Sequence, residues 1–151
     1  MNSDSDAKKQ YRLMRIGLVT MLSLLVIQFF IGMYLNLYVE LPKIHPGTTG
    51  SYAPSIPWAL AGNAGFALAL HVVIWMMLTL GGIALLVRAF ISRRVALIVG
   101  NALGFVFLLA AGSGGLGFLN RGTEIESYMM AGGFILACIA YGAALYKAKD
   151  L

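Results

Sequence analysis

Charged residues along this chain are confined to a few short blocks, and what separates them is almost wholly apolar. Residues 16–39, 65–87, 95–119 and 127–146 contain no Asp, Glu, Lys or Arg. Each run reaches the roughly 20 residues that a helix needs to cross a hydrocarbon core. The fourth helix should start a little earlier than its run, near Glu124, because Thr123 and Glu126 match the Thr-x-x-Glu capping box. The pattern predicts an all-α, antiparallel four-helix transmembrane bundle with helices at about 16–39, 65–87, 95–119 and 124–146.

These helices leave little room for anything else. Residues 16–146 form one membrane domain, flanked by polar tails at 1–15 and 147–151. The first tail, acidic and then basic, has too little apolar content to fold alone and is expected to be disordered before a juxtamembrane helix. The one long connection, residues 40–63, holds all four prolines. Each proline biases the residue before it away from helix, so the loop should be extended and turned. A loop of this length in a small protein is more often functional than passive, and Tyr52 and Trp58 suit the headgroup level.

Composition agrees with the pattern and adds a direction. The chain is 60% hydrophobic and 11% charged, against about a quarter charged in soluble domains. Its net charge of +5 does not read as a nucleic-acid surface, because nine of the eleven basic residues fall on one side of a four-span topology. Only Lys43 and Arg121 fall on the other. By the positive-inside rule both termini are cytoplasmic and the long loop is external; the expected location is the cytoplasmic (inner) membrane. Run 16–39 exceeds the 7–15 apolar residues of a signal peptide and lacks a small-residue cleavage pattern, so it is read as a retained helix. The single cysteine, Cys138, permits no intrachain disulfide.

Candidate chemistry centres on His71, the only ionisable side chain of its kind within the spans apart from Cys138 and the tyrosines. An ionisable residue in a membrane span is a functional candidate by default. Trp75 lies one turn deeper on the same face. On the first helix Gln28, Gly32 and Asn36 are spaced four apart, two amides and a gap. Ser113, in the glycine-rich end of the third helix, falls at a similar depth, and His45 sits in the external loop. An outward-facing pocket of Asn36, Gln28, His71, Trp75 and Ser113, covered by the loop with His45, is therefore the expected ligand-binding region. The alternative for each polar side chain is interhelical hydrogen bonding, worth about 0.6 to 2 kcal/mol.

Other chemistries fit less well. Gly112, Gly114 and Gly117 spell GxGxxG, but the dinucleotide fingerprint needs a preceding strand, and here it ends a membrane helix. Gly100 and Gly104 form a GxxxG, which with the other glycines suggests tight packing within the monomer, in a homo-oligomer or against a membrane-complex partner. Ser113 lacks the setting of a nucleophile elbow. With no carboxylate in any of the four uncharged runs, proton-coupled export is disfavoured. Two histidines and distant glutamates make a poor zinc set, so no metal site and no catalytic residue is assigned. A b-type haem, with His71 and His45 as axial ligands and Met33 as a substitute, is an open alternative, as is a passive subunit of a larger complex.

Two segments carry a likeness. QFFIGMYLNLYVELPKIHPG, residues 28–47, and LALHVVIW around His71 resemble uncharacterised bacterial proteins with four spans. The resemblance covers most of the chain and implies the same fold, but no activity. The expected function is a non-enzymatic multipass membrane protein that binds a small ligand, lipid or partner beside His71. The topology is tested by a reporter fused after Leu151: it should be active only in its cytoplasmic form, and activity of a periplasmic reporter would invert the assignment.

Overall fold

The computed structural model describes residues 3–49 and 51–148, with side chains from Lys9 onward. Residues 1–2 and 149–151 of the expected tails lie outside the described residues. Five helices follow one another: α1 (Ser3–Tyr38), α2 (Ser55–Leu60), α3 (Phe66–Ser92), α4 (Val95–Arg121) and α5 (Glu124–Lys147). Among the described residues there is no strand. α1, α3, α4 and α5 each contain a segment long and apolar enough to cross a membrane.

Two elements differ from expectation. α1 begins at Ser3, well before residue 16. Lys9, Gln10, Arg12, Leu13 and Met14 are good helix formers, and Met14 is buried in the core, so the helix continues beyond its uncharged run. At 36 residues and 1.5 Å per residue it is about 54 Å long. The Pro-rich loop contains a helix, α2, where only extended chain was expected. Its prolines do not oppose it: Pro54 stands at the N-cap and Pro57 lies in the first turn, where a missing N–H costs nothing. Arg93 and Gly122 end α3 and α4 in the left-handed conformation, at φ of 54° and 63°, and allow immediate reversal into the next helix.

The long helices close into a ring in which α1 meets α3 and α5, and α4 meets α3 and α5. Neighbours run in opposite senses. Gly100 meets Ala144, Gly133 meets Ala111, and Gly114 meets Met130, so numbers rise along α4 as they fall along α5. On α1 the inward positions are Met14, Leu18, Met21, Leu25, Gln28, Gly32 and Leu35, alternating steps of four and three. This is the heptad seam of left-handed bundles. α3 continues it with Leu68, His71, Trp75, Leu78, Gly82, Leu85 and Ala89.

The glycines determine how close the helices come. A methyl group at Gly114 would lie 2.6 Å from the Met130 backbone nitrogen, and one at Gly133 would lie 2.7 Å from that of Ala111. α4 and α5 are therefore in backbone contact. The glycine-rich end of α4, expected to be packed, bent or cavity-lining, is continuous helix used for packing.

Polarity is inverted relative to a water-soluble fold. Phe30, Leu80 and Ile139 are exposed, whereas Gln28, Asn101, Asn120 and Glu126 are buried. An apolar exterior around a polar-bearing interior is stable in lipid, where outward side chains need no water.

Candidate functional site

The heptad seam has a polar interruption. On α1, Gln28 and Gly32 occupy two successive inward positions, and both face His71 of α3. Gly32 provides the space: a methyl group there would lie 3.1 Å from Cε1 of the imidazole. Gln28 Nε2 donates to the His71 backbone carbonyl at 3.1 Å. The bond crosses between helices and uses an oxygen that also serves its own helix. It leaves the imidazole unbonded to Gln28.

Trp75, one turn further along α3, turns the other way around the bundle. Its indole lies over the backbone at Gly112 of α4, where no side chain would fit. The carbonyl of Trp75 accepts a hydrogen bond from the Thr79 hydroxyl at 2.9 Å. Three polar atoms in this region, Gln28 Oε1, His71 Nδ1 and Trp75 Nε1, are buried without a hydrogen-bond partner. They comprise one acceptor, one donor and one nitrogen that can be either.

The other expected members are elsewhere. Asn36 and Ser113 are both exposed and are not brought to His71. A step of four residues overshoots a 3.6-residue turn by about 40°, so Asn36 lies about 80° around α1 from Gln28. Leu35 takes the inward position instead. Above the His71 layer, Leu35, Leu68 and Ala59 form an apolar cluster that joins α1, α3 and α2.

His45 belongs to a separate cap beyond that cluster. It is buried and stacked on Trp58, with ring centroids 4.3 Å apart and planes inclined by 13°. Its Nδ1 lies 3.0 Å from the Pro46 carbonyl and its Nε2 3.0 Å from that of Leu119 at the end of α4. A neutral ring donates to one of these acceptors; the doubly protonated ring donates to both. In either form the ring nitrogens face carbonyls, which leaves neither directed at His71.

Residues not singled out in the sequence complete the cap. The Ser55 hydroxyl donates to the Asn120 amide oxygen, and Asn120 Nδ2 donates to the Leu116 carbonyl at 2.7 Å. Gly47 fits between Ser55 and Asn120 with φ of +105°, where a side chain would be both strained and obstructed. The capping box forms, with the Thr123 backbone N–H donating to Glu126 Oε2 at 3.4 Å, and the Thr123 hydroxyl donates to the same oxygen at 3.0 Å. Glu126 does more than start α5: it is buried, lodged against Gly117 and paired with Arg121, whose guanidinium carbon is 5.4 Å from the Tyr52 ring centroid.

Two further buried polar atoms, Asn101 Oδ1 and Tyr141 Oη, lack partners nearer the basic end. The Tyr141 ring packs on Gly104 and its hydroxyl reaches Gly82. Sequence spacing could mark Gly104, but not what filled it. Among the described residues there is no group of three or more metal-ligating side chains.

Fold and polarity together define a helical protein with the features of the multipass membrane class. Comparison with protein-family models, curated proteins and solved structures finds no match. The cap gives the first structural test. Asn120→Ala should raise hydrogen–deuterium exchange across residues 45–60 and lower stability by about 1–3 kcal/mol. Unchanged exchange in that segment would show that Asn120 does not hold the loop.

Proposed function

We propose that this protein is a non-enzymatic multipass protein of the bacterial inner membrane, with both termini cytoplasmic, that binds a small uncharged molecule at the Gln28–His71–Trp75 layer. The observation that carries the reading is that Gln28 Oε1 on α1 and His71 Nδ1 and Trp75 Nε1 on α3 are all buried without hydrogen-bond partners, the first two residues where α1 meets α3 and the third over Gly112 of α4. Each costs about 1–3 kcal/mol when left unsatisfied, while an interhelical hydrogen bond such as that of Gln28 returns about 0.6 to 2. On those magnitudes the layer weakens the bundle unless something outside the chain completes it.

The donor set describes the ligand. Trp75 Nε1 can only donate and Gln28 Oε1 can only accept, so the complement carries both an acceptor and a donor, as hydroxyl and amide compounds do. No charged side chain lies in the runs 16–39 and 65–87 that carry Gln28, His71 and Trp75, which favours a neutral ligand with an apolar body. The likeness to uncharacterised bacterial four-span proteins fits this setting. The haem alternative has less support, since His45 would have to give up the Leu119 and Pro46 carbonyls and its Trp58 stack.

The test is mass spectrometry of small molecules retained by protein purified gently from native membranes. The expected result is a stoichiometric neutral compound whose retention falls about tenfold or more in Gln28→Leu and in His71→Phe, in line with the loss of one buried hydrogen bond. The same sample should show no Soret band. Equal retention in wild type and both variants, or no retained compound at all, would contradict the proposal, the latter being what a passive subunit predicts.

A further inference from the structure

A second concavity lies at the opposite end of the bundle, between α1 and α3, and it opens sideways rather than into the seam. It has a volume of about 280 Å³ and extends from Leu24 and Met77 to Leu13 and Arg88. Eleven residues of each helix separate those ends, about 16 Å at 1.5 Å per residue. That is close to half of a roughly 30 Å hydrocarbon core. The groove therefore matches the depth of one leaflet.

Its walls and its mouth differ in chemistry. The walls are apolar except for the Thr20 hydroxyl, whereas Arg88 stands at the basic end, immediately after the uncharged run of α3. Arg88 is exposed and has no acidic partner among the described residues. Among the described residues, Arg88 is the charged residue in the lining. An apolar slot of leaflet length ending in a guanidinium is complementary to a molecule with an acyl tail and an anionic head. A second copy in the same orientation is a poorer occupant, because it would bring two basic ends together.

We propose that this groove holds one acyl chain of an anionic glycerophospholipid, with its phosphate hydrogen-bonded to the Arg88 guanidinium. A guanidinium presents paired N–H donors that match two phosphate oxygens. The site is separate from the His71 layer and stands independently of it.

Native mass spectrometry of the full chain in detergent, titrated with phosphatidylglycerol or phosphatidylcholine of identical chains, tests the assignment. The first phosphatidylglycerol should bind about fivefold more tightly, the preference expected for one basic side chain near the headgroups. Arg88→Gln should abolish that preference, whereas Arg93→Gln, at the same end but outside the groove, should retain it. Ala84→Phe, which fills the groove from α3, should weaken both lipids, as should Thr20→Phe from α1 if the first variant does not fold. Equal binding of the two lipids by wild type, a preference that survives Arg88→Gln, undiminished binding by the filled variants, or a dimer that lipid does not dissociate would each overturn the proposal.

Discussion

Backbone contact between α4 and α5 is the constraint on which the rest of the structure depends. Without water in the bilayer there is no hydrophobic force to press helices together, so association relies on close packing. Gly114 and Gly133 meet backbone atoms of the facing helix directly, and Gly100 meets the Ala144 methyl. This pair forms a wall against which α3 and then α1 are placed. Tyr141 carries the arrangement onward, since its ring covers Gly104 and its hydroxyl reaches Gly82 on α3.

The same economy of side chains explains where polarity is tolerated. Positions that would hold Leu or Ile in an all-apolar heptad hold Gln28, Gly32, His71 and Trp75, with a glycine opposite each ring. The rings are thereby accommodated by shape while their polar atoms go partly unpartnered. At the loop end the outcome is different. His45, Ser55, Asn120 and Glu126 find partners in carbonyls, an amide and Arg121, and they hold the Pro-rich segment against α4. One end of the bundle is closed by a hydrogen-bonded network, and the layer beneath the apolar cluster leaves Gln28 Oε1, His71 Nδ1 and Trp75 Nε1 without partners.

Much of the architecture was legible because it is written in local pattern. The uncharged runs locate the four long helices, Thr123 and Glu126 mark the start of α5, and the gap at Gly32 is visible beside Gln28. What escaped depends on rotation and on distant contacts. The step of four from Gln28 to Asn36 looks like one face, but the true inward spacing is alternately four and three, and it selects Leu35. Nothing near His45 in sequence indicates that its partner is the Leu119 carbonyl, 74 residues away. Ser113 shares a depth with His71 but points outward, a distinction that composition does not carry. α2 was hidden because its prolines occupy the two places in a helix where they do no harm.

The register of α4 against α5 is tested most directly by disulfide trapping in membranes, using Gly100→Cys with Ala144→Cys in a Cys138→Ser background. A methyl group at Gly100 would lie 3.0 Å from the Ala144 Cβ, closer than the roughly 3.5 Å minimum between bridged cysteine Cβ atoms, so the helices need separate only by about half an ångström to reach bridging distance. Oxidation should link this pair within one chain and leave Leu103→Cys with Ala143→Cys, both exposed positions, unlinked. Efficient bridging of the second pair, or none of the first, would contradict the packing on which this account rests.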